Sequence, residues 1–188
     1  MRLPKITSLA ILVMFAFTAT WLTLVVVSPF LVPSGTLTDL SGRVGYRDNS
    51  VVISQLDPIP RAIYWIGDSQ CHQLANRSYF LNDNQMPFCA RDFGLFIGLA
   101  VASGIALFYV LAINPVFLLL GLAPIGVDGG LQLVTSYEST NALRLVTGII
   151  AGLALALLLA QFIMALREGR DVPHDDTCKP QDDISSKP

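Results

Sequence analysis

Between Ile6 and Val32 the chain reads ITSLAILVMFAFTATWLTLVVVSPFLV, with no charged residue. Such a run exceeds the roughly 20 apolar residues that a helix needs to cross a bilayer. In hydrocarbon every backbone N–H and C=O must be satisfied within the chain, so the segment is expected to be a transmembrane helix. Met1-Arg2-Leu3-Pro4-Lys5 supplies a positive flank. A cleaved signal peptide is the rival reading, but the run is long for its hydrophobic region and no clear Ala-x-Ala site follows. The reading adopted is a retained helix.

The rest of the chain extends this pattern. Of its 188 residues 53% are hydrophobic and only 14% charged, and the mean hydropathy is +0.57; these values belong to integral membrane proteins. Phe93 to Ile113 is a second uncharged span, ended by Asn114-Pro115, a pair that favours a turn. Pro115 to Val127 is apolar but short, and is completed as a crossing by Asp128 to Val134 or folded as a re-entrant hairpin. Ala142 to Leu166 is the last span, with Ser139 or Asn141 placed to cap it. The expected fold is an all-α membrane protein with about four transmembrane helices and a small polar loop subdomain. Its parts are an N-terminal helix (1–33), the loop subdomain (34–92), a transmembrane helical region (93–166) and a disordered acidic tail (167–188). The expected location is the cell membrane, as a multi-pass protein, with the lipid bilayer as principal partner. A net charge of −2 without a basic tract excludes a nucleic-acid partner.

Four crossings put both termini on one side, beside Arg2, Lys5, Arg167 and Arg170, which the positive-inside rule makes cytoplasmic. Arg43, Arg47, Arg61, Arg77 and Arg91 in the first loop oppose that orientation. Either way, the loop ending at Asp92 and the loop from Asp128 to Arg144 share one face. Within the first loop, Ile59, Ala62, Ile63 and Ile66 recur at helical spacing beside Tyr64 and Trp65, as in a helix lying in the headgroup region or packed on a core. Gly94, Gly98, Ala102 and Ala106 on one helix and Gly148, Gly152, Ala156 and Ala160 on another form small-residue stripes at a spacing of four. Such stripes allow close helix approach, between these two helices or in a homo-oligomer.

Chemistry concentrates in CHQLANRSYFLNDNQMPFCARDFG, from Cys71 to Gly94. If the helix continues from Gly67, then Asp68, Cys71 and His72 share a face, and Cys89 and Asp92 form a second i, i+3 pair. Cys71, His72, Cys89 and Asp92 would supply a four-ligand site of thiolate, imidazole and carboxylate donors, which suits zinc. A Cys71–Cys89 disulfide and two unrelated thiols are the alternatives; the third cysteine, Cys178, sits alone in the tail. A second polar block, DGGLQLVTSYESTNALR, brings Asp128, Gln132, Glu138, Asn141 and Arg144 to the ends of apolar spans, where ionisable groups pair and often mark function. Together with Arg91 these form the candidate polar site. Arg144 falls in the first turn of its helix, where the dipole disfavours a cation, so a carboxylate partner is expected among Asp128, Glu138 and Asp92; the plainer reading is an arginine snorkelling to water.

Two further patterns carry little weight. IYWIGDSQ with the later Asp171-Val172-Pro173-His174 echoes GDSL-type hydrolases, but the chain has no room for their α/β sheet. Asn76-Arg77-Ser78 is an N-glycosylation acceptor pattern that arises easily by chance.

Read together, CHQ at Cys71, RSY at Arg77, QMPFCARDFGLFIG from Gln85, PIGVDGGLQ from Pro124 and ESTNALRLVTG from Glu138 resemble a family of archaeal and bacterial membrane proteins of unassigned function. The resemblance covers Cys71 to Gly152. Members of that family often carry Cys-x-x-Cys where this chain has Cys89-Ala90-Arg91-Asp92, so the resemblance implies a Cys and His metal site in which Asp92 substitutes as an oxygen ligand. The expected function is a metal-binding or redox-active polar site at one membrane face, with activity as an enzyme left open. The alternative is a small transporter or assembly subunit whose cysteines form a structural disulfide.

Overall fold

The computed structural model describes residues 8–109 and 111–170. The tail beyond Arg170 and the Arg2/Lys5 flank lie outside the described residues, as do Cys178 and His174.

The first apolar run forms α1 (Leu9–Val27), whose N-cap Ser8 accepts a hydrogen bond from the Ala10 amide. A 3-10 turn, Ser28–Leu31, carries the chain out of it at Pro29. After the loop helices α2 (Ser50–Ile53) and α3 (Pro58–Gln70) come the strands β1 (Ser78–Leu81) and β2 (Asn84–Cys89), then α4 (Ala90–Ala106), α5 (Pro115–Leu120), α6 (Ala123–Val134) and α7 (Asn141–Arg170).

The expectation of an all-α fold needs correction. β1 and β2 pair as an antiparallel hairpin, turned by Asn82 and Asp83 at φ 53° and 56°. Asn and Asp tolerate that left-handed conformation, and a two-residue turn of this kind matches the twist of the flanking strands.

Three helices are long and apolar enough to cross a membrane among the described residues: Leu9–Leu31, Pro115–Val134 and Asn141–Arg167. The expected fourth, from Phe93 to Ile113, is helical only to Ala106, and α4 has 17 residues. Beyond it, the carbonyls of Leu111 and Ile113 accept from the Gln161 amide, both at 2.9 Å.

The two small-residue stripes meet each other. A Cβ on Gly94, Gly98, Gly148 or Gly152 would overlap a backbone carbonyl of the facing helix, those of Leu145, Ile149, Arg91 and Leu95 respectively. The facing positions rise together along both helices, so α4 and α7 run parallel. α1 runs antiparallel to them: near one end Ile11 packs with Ala106, Leu107 and Ala160, and Thr18 meets Ser103 at 3.0 Å. Near the other end, Trp21 makes edge contacts with Phe88 and Phe96. The α5–α6 segment also opposes α7, with Gly121 against Ala154 and Gln132 against Arg144. The start of α7 is capped by Thr140, whose hydroxyl accepts from the Leu143 amide. Ser139 and Asn141, the expected caps, are displaced from that role because Asn141 is already helical and donates to Ser78 O.

The loop subdomain sits at the end where α4 and α7 begin. The amphipathic segment forms α3 as expected and buries Ile63 and Tyr64, while Ile59 and Ile66 remain exposed. Val32, Leu37, Leu40, Ile53, Leu56 and Tyr64 make its core. Buried carboxamides hold the irregular backbone, as burial of such groups requires. Asn84 accepts from Leu37 N and donates to Pro29 O, both at 2.9 Å, and Gln85 accepts from Leu40 N at 2.9 Å. Gln73 donates to Pro87 O at 2.8 Å.

Candidate functional site

Helix α3 stops one residue short of Cys71, whose amide donates to Gly67 O at 2.8 Å as the helix cap. Gln73, at φ 45°, then turns the chain away. Cys89 ends β2 and precedes α4, whose first turn carries Asp92. Strand and helix thus deliver three donors to one place: the ligand atoms of Cys71, Cys89 and Asp92 lie within 4.8 Å of one another. The Asp92 carboxylate is favoured there by the helix dipole.

Both cysteines are free thiols, which corrects the disulfide alternative. Cys89 Sγ donates to Asp92 Oδ2 at 3.3 Å. The Cys71 thiol is pushed well above the ordinary range, first by its hydrogen bond to Cys89 and next by burial. The same bond stabilises the Cys89 thiolate and pulls that group down. The proton therefore stays on Cys71 while Cys89 gives its own up first.

His72 is exposed and lies outside this trio. Asp68 is also elsewhere: because α3 ends before Cys71, its carboxylate points to Asn49, accepting from Nδ2 at 2.7 Å.

The second polar block meets the first, as the shared-face expectation required. Arg91 is ion-paired with Asp128, and Gln132 donates to Asp128 Oδ2 at 3.2 Å. Arg144 donates to Asn141 Oδ1 at 3.0 Å and to Gln132 Oε1 at 3.3 Å. Glu138 pairs with Arg77 at 3.3 Å. Among the described residues no carboxylate is in direct contact with Arg144, and of the expected partners Asp128 acts on it only through its charge. Asp128 is taken by Arg91, Glu138 by Arg77 and Asp92 by Cys89, leaving Arg144 with neutral carboxamides. Nor does it snorkel, since only 3% of it is exposed.

Between the two blocks lies a cavity of about 70 Å3, walled by Cys71, Cys89, Arg77, Arg91, Gln132 and Arg144 among others. Arg77 and Gln73 lie outside the candidate site expected from the sequence, where Arg77 counts only as a loop charge and as part of the sequon and RSY patterns. A larger cavity of about 530 Å3 lies at the opposite end of the helices, around Ile11, Asn114 and Gln161, but among the described residues its walls hold no thiol or charged side chain. The thiols and guanidiniums line the smaller one.

Comparison with known proteins follows the same boundary. Residues 71–158 match a family described as "Predicted membrane protein" (DUF2085). An uncharacterized protein of Methanocaldococcus jannaschii is 35% identical over 102 residues, covering 52% of this chain and 65% of that protein. An uncharacterized protein of Methanothermobacter thermautotrophicus is 35% identical over 92 residues, covering 47% of this chain and 82% of that one. The chain thus spans just under two thirds of the first relative's length. No solved structure matches. With the matched segment running from the first site cysteine into α7, and with apolar helices able to span a bilayer several times, the chain belongs to the DUF2085 family of multi-pass membrane proteins.

Proposed function

We propose that this protein is a metal-binding membrane protein in which Cys71, Cys89 and Asp92 hold a zinc-class divalent ion at one membrane face. The observation that carries this reading is the convergence of two thiols and a carboxylate, from separate elements, within 4.8 Å. Thiolate and carboxylate donors suit zinc, and three protein ligands leave a further position open to water or substrate. A metal there would polarise a bound group or activate water. The residues around it set access: Arg91, fixed by Asp128, and Arg144, fixed by Asn141 and Gln132, wall the cavity beside the thiols.

In this reading α4 serves as a fourth crossing. Its 17 residues span about 25 Å at 1.5 Å per residue, and its parallel course beside α7 is supported by the intervening return of α5 and α6. Metal analysis of purified protein tests the site. About one metal per chain, lost in both Cys71→Ser and Cys89→Ser, is the expected result; metal-free wild type overturns it.

A small transporter or assembly subunit is the second reading. It is favoured by the continuous Arg91–Asp128–Gln132–Arg144 chain between α4, α6 and α7, which would line a polar path. It predicts no bound metal.

A further inference from the structure

The cavity beside the thiols is walled by three guanidiniums, and among the described residues one of them has no carboxylate in direct contact. Arg91 is paired with buried Asp128, and Arg77 with the exposed Glu138. Arg144 is 3% exposed, yet its partners are the neutral oxygens of Asn141 and Gln132. A buried cation without a directly paired anion is costly. The charge of Asp128 reaches Arg144 but is shared with Arg91, and Arg144 stands in the first turn of α7, where the dipole adds to the positive potential.

Donors are also left over. The Nε atoms of Arg77 and Arg91 are buried without an acceptor. The cavity, about 70 Å3, exceeds several-fold the roughly 10–15 Å3 that one water needs, which gives room for a tetrahedral oxyanion. The negative charge of Cys89, which lines the cavity, and of Asp92 beside it would be neutralised by the proposed ion, leaving the arginine charge to a ligand.

We infer that this cavity binds a phosphate group, with Arg144 and Arg77 donating to its oxygens and Arg91, anchored by Asp128, completing the positive wall. Guanidinium forks suit phosphate in a way that a point charge does not. The ligand class is a phosphate ester, arriving either as a soluble molecule or as the headgroup of an anionic lipid. This inference rests on the reading above that this cavity is the working face of the site.

Inorganic phosphate titrated calorimetrically into the purified protein in detergent tests the soluble source. Native mass spectrometry of protein in nanodiscs containing phosphatidic acid tests the lipid source. The expected result is saturable binding in at least one arm, weakened about tenfold or more in Arg144→Gln, with metal content unchanged. Arg77→Gln, at a half-buried position, gives the same reading should Arg144→Gln fail to fold. Phosphate bound in detergent identifies a soluble ester; binding confined to the nanodiscs identifies a headgroup. Absence of saturable binding in both arms, or affinity unchanged in both arginine variants, overturns the inference. Metal content is read on the same preparations: metal without phosphate overturns this inference alone, and phosphate without metal overturns only the metal reading.

Discussion

Arg91 and Asp128 are ion-paired across the gap between α4 and α6. Arg91 lies two residues beyond Cys89, so the pair ties the polar part of α6 to the Cys71–Cys89–Asp92 trio. Asp128 is 5% exposed, and its removal leaves a largely buried guanidinium alone. Asp128→Asn is expected to lower stability in mild detergent by about 1–3 kcal/mol, below the usual cost of breaking a fully buried pair because Arg91 retains some solvent. Adding Arg91→Gln should recover part of that loss. Additive losses in the double variant would rule out the coupling.

The α4–α7 contact makes a sharper packing prediction. A Cβ on Gly98 or Gly152 meets backbone carbonyls and amides that cannot move aside as a side chain would. Gly98→Ala should force the helices apart and cost about 1–3 kcal/mol, read as a lower midpoint of thermal unfolding in detergent. Gly126→Ala in α6 is the matched control, because nothing lies within 4 Å of its added methyl. Equal stability of the two variants would show that close backbone approach is not what holds α4 to α7.

That contact was legible in the sequence because spacing by four on two helices is a local pattern with one physical use. The meeting of the Cys71–Asp92 and Asp128–Arg144 blocks was legible for a topological reason: α4 and the α5–α6 segment run out and back, which returns both blocks to one end of the helices. The partner of Arg144 was not. Charge alone pointed to a carboxylate, but Arg91 and Arg77 compete for Asp128 and Glu138, and only tertiary placement decides among arginines. The hairpin is only weakly marked in SYFL and NQMPFC, which are short and carry polar residues and a proline, with Asn82-Asp83 between them as the one turn signal. The end of the helix at Ala106 is followed by carbonyls that bond to Gln161, fifty positions beyond Leu111, a pairing that no local pattern could reveal.

The two thiols should differ in reactivity in metal-free protein. Cys89 is shifted below the ordinary value of 9.0 by the hydrogen bond from Cys71, and Cys71 is shifted above it. Since the thiolate is the nucleophile, iodoacetamide is expected to modify Cys89 first, at a rate that rises with pH before an ordinary thiol would respond. Cys71→Ala removes the stabilising donor and should displace that profile to higher pH. Peptide mapping after limited alkylation reads the order; prior modification of Cys71 would contradict the assignment of the retained proton.

Tyr64 provides the last prediction, in the subdomain that positions the cysteines. Its hydroxyl, fully buried, donates to Gln85 O at 2.6 Å and so joins α3 to β2. Burial raises its pKa above the ordinary 10.0. The folded state therefore holds the phenolic proton more tightly than the unfolded chain does. Its contribution is complete below about pH 10 and declines as the pH rises further, because the unfolded chain ionises first. Tyr64→Phe removes both the hydrogen bond and this titration. The variant is expected to lose about 1–3 kcal/mol at neutral pH through the carbonyl left without its donor. The gap between variant and wild type should narrow above pH 10, where the wild type loses its advantage. Denaturant unfolding in detergent at pH 7 and pH 11, followed by tryptophan fluorescence, measures both effects. A gap that stays constant or widens with pH would show that Tyr64 does not hold its proton in the folded state.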